Sequence, residues 1–123
     1  MSRMQRTQVL VVGAGPVGLF AASELVRRKI DVKVMDQAWR GTGFSYALAL
    51  HPRSLELFEP MGLAEPLAEA GYRVNRVIYH EGAEPRTTLD YGDLDSRYPF
   101  LTIIPQNWLE LTLEDWLRAS SGE

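Results

Sequence analysis

The sequence predicts an α/β fold: a βαβ unit extended by further helices and strands, the start of an incomplete doubly wound parallel sheet. Three observations predict it. A valine-rich run, Val9 to Val12, leads straight into Gly13-Ala14-Gly15-Pro16-Val17-Gly18. Apolar residues then recur at three- and four-residue spacing through Leu19, Ala22, Leu25 and Val26, the period of a helix. A second short run, Asp31 to Met35, alternates Val32 with Val34 and closes on Asp36. The whole pattern takes about thirty residues, the size of one βαβ unit.

Each element has a local reason. Residues 1–7 are polar and basic without a period and are expected to form a flexible lead-in. Val9 to Val12 suits a strand buried on both faces. The helix starts at Pro16 or Val17, and Arg27, Arg28 and Lys29 fill its last turn, where cations favour the helix dipole. Gln37 to Ser45 has two glycines and no period, so a surface loop is expected. Tyr46 to Leu50 fits a short strand. His51 stands at a helix entrance, because Pro52 suits a first helical turn. Leu55, Leu57, Phe58 and Met61 supply the apolar stripe, and Gly62 ends it. Leu63 to Ala70 forms a second short helix closed by Gly71. Residues 73–80 predict one strand, 86–91 another, and Gly92 to Ser96 a polar turn. Phe100 to Ile104 reads as a strand stopped by Pro105, and Asn107 to Ala119 as a helix with Leu109, Leu113, Trp116 and Leu117 on one side. There is no repeat and no linker to a second domain.

Composition excludes several functions. Hydrophobic residues make up 46% and charged residues 24%, a globular balance. A net charge of −3 argues against a nucleic-acid partner. No apolar run reaches the ~20 residues of a membrane span. The absence of cysteine excludes disulfides, thiolate metal sites and thiol nucleophiles, and fits a cytoplasmic protein. His51 and His80 are the only histidines and are too far apart for a helical metal site. Glu56 and Glu59 read as a solvated helix face, Trp39, Trp108 and Trp116 as packing, and Ser54 has no triad around it. No catalytic residue and no metal ligand is singled out.

The glycine pattern carries chemistry. Gly13 permits a tight turn, Gly15 lets backbone approach a pyrophosphate, and Gly18 lets the helix pack closely on the strand. Unpaired N–H groups and the positive helix end then face phosphates. Asp36, eighteen residues after Gly18, stands where an acid accepts the ribose hydroxyls of a dinucleotide and disfavours a 2′-phosphate. This is a Rossmann-like dinucleotide-binding pattern. Which dinucleotide it takes stays open on these residues alone.

The stretch VLVVGAGPVGLFAASELVRRKIDVKVMDQ resembles the N-terminal FAD-binding segment of flavoprotein aromatic hydroxylases, the para-hydroxybenzoate hydroxylase-like monooxygenases. SYALALHPRSLELFEPMGL matches the family's continuation, and Ile104-Pro105-Gln106 before a helix resembles the segment whose glutamine approaches the flavin. The likeness runs from about residue 8 to residue 118. It implies FAD as cofactor, with the glycines and the backbone of Ala14, Pro16 and Val17 on its pyrophosphate, Asp36 on its ribose and Gln106 near the flavin. In a full enzyme it implies NAD(P)H as transient reductant, oxygen, and hydroxylation of an aromatic substrate. One departure is Tyr46, following Ser45 where the family commonly has an arginine; Arg40 and Arg53 are the cations near enough in sequence to compensate, but each by itself reads as a solvated surface arginine. Family members are several times longer and carry later Asp-Gly and Gly-Asp motifs. Gly92-Asp93 lacks the context of the latter and reads as a turn. The chain therefore reads as the N-terminal part of an FAD-binding domain, inactive alone, completed by the missing C-terminal part or by self-association. A non-catalytic dinucleotide-binding or association module and an NAD-linked dehydrogenase domain are the alternatives.

Overall fold

Thr7 already belongs to the folded chain: its hydroxyl lies 3.1 Å from the carbonyls of both Val9 and Asp31, the entrances to the first two strands. The structure, a computed structural model, describes residues 6–38 and 46–121, so residues 1–5 of the lead-in lie outside it. Two units make up the chain. One is formed by the chain up to Tyr46 together with the segment from Gln106, the other by Ala47–Pro105.

In the first unit, β1 (Val9–Val12) pairs in parallel with β2 (Val32–Met35), with Val9 opposite Val32 and Val12 opposite Met35. The crossover between them is α1 (Pro16–Arg27). It stops where Arg28 and Lys29 bend the chain back, Lys29 taking the left-handed φ of 61°. Glu24 ties down this end by accepting hydrogen bonds from Arg27, at 3.0 Å, and Arg28. The two guanidiniums hold its carboxyl below the ordinary carboxylate range. A second helix, α4 (Gln106–Ser121), packs on α1. Leu19, Ala22, Ser23, Leu109 and Leu113 are buried. Ser23 offsets the cost of burying a hydroxyl by donating to the Leu19 carbonyl at 2.8 Å. The helix begins one residue earlier than its apolar pattern suggests. Pro105 closes the strand before it, a position where its missing N–H is tolerated.

One expectation is corrected here. β1 is not buried on both faces: Leu10 and Val12 are 53% and 76% exposed, and Met35 beside them is 53% exposed. Val11 lies against α1, but among the described residues nothing covers the opposite face of the pair.

The second unit is mainly antiparallel. β3 (Ala47–Leu50), β7 (Leu101–Pro105) and β4 (Tyr72–Val74) form one sheet with β7 in the centre. Two short helices, α2 (Pro52–Phe58) and α3 (Ala64–Ala70), contribute its apolar core. Leu55, Leu67, Thr102 and Ile104 are the most deeply buried side chains there. A tight helical turn over Glu59–Met61 and Gly62, at a left-handed φ of 72°, link the helices. The strand expected over 73–80 is two strands. β4 joins β7, whereas β5 (Arg76–Glu81) turns away to form a hairpin with β6 (Glu84–Asp90). The break falls at Asn75, whose carbonyl accepts the Tyr91 N–H at 2.8 Å instead of continuing a ladder.

Gly71 shows how tightly α3 ends on this sheet. A Cβ there would stand 2.2 Å from Thr102 Cγ2 and 2.7 Å from Ile104 Cγ2. Gly71→Ala is expected to destabilise by about 1–3 kcal/mol, the range for overpacking a core, read as a lower denaturant midpoint. The buried Thr102 hydroxyl has no hydrogen-bond partner among the described residues. Thr102→Val, which keeps the shape and removes that group, should therefore raise stability by about 1 kcal/mol. A midpoint that falls on this substitution would show the hydroxyl to be satisfied.

Candidate functional site

The three glycines of the loop joining β1 to α1 stand in three different situations. Gly13 extends the sheet by donating its N–H to the Met35 carbonyl at 2.7 Å, then turns the chain at a φ of 107°, which favours glycine. Gly15 is the residue just before the helix, and a Cβ built on it meets nothing within 4 Å. Gly18 is the opposite case. Its Cβ would fall 2.0 Å from the Gly13 carbonyl oxygen and 3.4 Å from Val11 Cγ1, so only a hydrogen fits between helix and strand.

The helix end that results is electrostatically bare. No side chain caps it, and its first turn holds no acidic residue. Pro16 has no N–H to satisfy. The N–H groups of Val17 and Gly18 sit in the first turn, where no carbonyl lies one turn back to accept them. The Gly15 N–H has no acceptor among the described residues. The positive end of α1 and these donors fit an anionic group with room at Gly15.

Asp36 comes to this loop from the end of β2. Its Oδ2 accepts the Ala14 N–H at 2.7 Å and its Oδ1 accepts the Ala38 N–H at 2.7 Å. Ala14, 8% exposed, therefore spends its N–H inside the protein, and the donors left to face a ligand are those of Gly15, Val17 and Gly18. Sequence reasoning placed Asp36 near the loop but missed this bond. Nothing in residue spacing signals it.

The remaining candidates stand apart. Gln106 opens α4, donates its backbone N–H to the Tyr46 carbonyl at 2.7 Å, and its side-chain amide donates to Glu110 at 3.0 Å. Tyr46 is 73% exposed. Trp39, Arg40 and Ser45 lie outside the described residues.

In the second unit, Arg53 pairs with Glu56 at 2.9 Å, and Ser96 donates to the same carboxylate at 2.8 Å. These two neighbours hold the Glu56 carboxyl below its ordinary value, Arg53 contributing most. Glu59 receives Arg97 at 3.1 Å. The two glutamates thus anchor the segment around residues 96–97 and are not merely a solvated face. Gly92 and Asp93 lie in a short helical turn, as expected. Among the described residues there is no cluster suited to a metal ion, and no helix is long and apolar enough to cross a membrane.

Residues 6–123 match the family model described as FAD binding domain. The chain is 38% identical over 113 residues to pentachlorophenol 4-monooxygenase of Sphingobium chlorophenolicum, covering 91% of this chain and 21% of that protein. It is 42% identical over 112 residues to 6-methylpretetramide 4-monooxygenase of Streptomyces rimosus, covering 89% and 20%. Among solved structures, an anhydrotetracycline hydroxylase from Streptomyces rimosus superposes with a TM-score of 0.81 at 28% identity, over 94% of this chain and 23% of that one. The chain spans about a fifth of the length of these curated relatives.

The glycine geometry predicts contrasting variants. Gly18→Ala should cost about 1–3 kcal/mol, because the Gly13 carbonyl must move. Gly15→Ala, entering open space at an ordinary φ, should stay within about 1 kcal/mol of the parent. Equal denaturant midpoints for the two variants would contradict the packing described.

Proposed function

This chain belongs to the FAD-binding domain family, and from that premise we propose that its glycine loop holds the pyrophosphate of FAD. The observation that carries the proposal is the uncapped start of α1 beside an open Gly15. Three backbone donors, those of Gly15, Val17 and Gly18, lie at the positive helix end, and the first turn holds no acidic residue. Gly13 and Pro16 shape the loop, one by its left-handed turn and the other by starting the helix without an N–H. Ala14 contributes by fixing the loop backbone. Asp36 accepts the ribose hydroxyls of the adenosine half. Gln106 serves the flavin end, its carboxamide released from Glu110 when the ligand arrives.

The whole protein, on this reading, is a flavin-dependent monooxygenase that hydroxylates an aromatic compound with NAD(P)H and oxygen. The relatives' names support it: pentachlorophenol 4-monooxygenase and 6-methylpretetramide 4-monooxygenase both denote oxygenation of aromatic molecules. FAD supplies the electron transfer and oxygen chemistry when bound, while these residues bind and orient its adenosine and pyrophosphate. The partner of this chain is the rest of a longer protein, consistent with the relatives' length and with the open face carrying Leu10, Val12 and Met35. Neither an NAD-linked dehydrogenase nor a non-catalytic module is favoured by the family or its named members.

Gly15→Val tests the loop. Its Cβ enters open space and its two methyls extend into the phosphate path, so calorimetry should show ADP and FAD binding lost with the circular dichroism spectrum unchanged. Unaltered ADP affinity would mean that the loop is only a turn.

A further inference from the structure

Asp36 does something in the ligand-free chain. Its two carboxylate oxygens bridge the connection after β1 to the connection after β2, through Ala14 and Ala38. The bond to Ala38, two residues on, is an Asx-type turn that sets the direction of the carboxylate. With that direction set, the other oxygen meets the N–H of a residue 22 positions earlier. Ala14 is buried and adjoins Gly13, the residue whose φ of 107° turns the chain toward the helix. Without that carboxylate its N–H would lose its partner, and the loop would be free to rotate it outward.

We propose that Asp36 is a positioning residue that latches the glycine loop, holding the Gly15, Val17 and Gly18 N–H groups in place for an anion before any ligand binds. The latch makes the site preorganised, so affinity is not spent on ordering the loop. It also couples the two halves of the site through one side chain. A carboxylate offers about four acceptor positions, so holding Ala14 and receiving a ribose hydroxyl are not exclusive. A ribose that binds Asp36 therefore binds a group already fixed to the phosphate loop. The effect on ligands rests on the pyrophosphate reading above; the latch itself does not.

The two are separated by one experiment with two readouts. Amide hydrogen exchange on the ligand-free chain should show the Ala14 N–H protected by about tenfold or more over the Gly15 N–H, the equivalent of one bond to a charged group. Asp36→Ala, which leaves no acceptor at this position, should remove that protection while the amides of the β1–β2 ladder keep theirs. An Ala14 amide exchanging as fast as Gly15 in the unmodified chain overturns the latch with no variant needed. So does protection that survives in Asp36→Ala. Calorimetry with ADP and with 2′,3′-dideoxyadenosine diphosphate supplies the second readout. Asp36→Ala should weaken the dideoxy compound by about tenfold as well, although that ligand has no hydroxyl for the carboxylate to bind. A loss confined to ADP would leave Asp36 as a ribose contact and overturn the positioning role. If the unmodified chain binds neither nucleotide, the pyrophosphate reading fails, and the exchange rates still decide the latch.

Discussion

The contact between α1 and the end of β1 governs the first unit. With only a hydrogen on Gly18, the helix approaches until the place a methyl would take is 2.0 Å from the Gly13 carbonyl oxygen. That closeness is what brings the bare start of the helix to the end of the strand. It requires the sharp turn at Gly13, because the chain must reverse within the few residues before Pro16. It also leaves Gly15 on the open side of the loop. One steric constraint thus produces both the packing of helix on strand and the space in front of the helix end. Strand, helix and ligand-facing backbone cannot be varied independently.

Charge in this unit follows the same arrangement. The N-terminal turn of α1 has no acid, whereas Arg27 and Arg28 at the other end are matched by Glu24. Cations thus stand at the negative end of the dipole, and its positive end is left uncompensated where the loop opens. Asp36 brings a full negative charge close to the loop, but it is spent on backbone donors at fixed positions.

The second unit is held by different means. Its sheet is antiparallel and short, and its helices of seven residues each gain little from propensity alone. Packing supplies the rest: Leu55, Leu67 and Ile104 are almost wholly excluded from water, and Gly71 lets α3 end directly on β7. The pairs Arg53–Glu56 and Arg97–Glu59 lie at the surface, where each contributes at most about 1 kcal/mol, so they set geometry more than stability.

The order of elements was legible because periodicity and punctuation are local. Valine runs, a three-to-four spacing and glycine or proline at the ends located β1, α1, β2 and α3 to within a residue or two, while α2 stops at Phe58, three residues before its apolar stripe does. Gly13 and Gly18 were likewise legible, since each answers a steric demand made within a few residues. Pairing was not local. Residues 73–80 carry one apolar pattern, yet they divide between two sheets, because β7, far along the chain, claims the first part while the second folds into a hairpin with β6. The valines of β1 looked doubly buried, but burial depends on what else covers the pair, and Leu10 and Val12 stand largely in the open. The sequence by itself determined the elements and the chemistry available in the loop. Tertiary structure decided which N–H groups that loop can offer, because the Ala14 donor is claimed by a carboxylate that only folding brings within 2.7 Å.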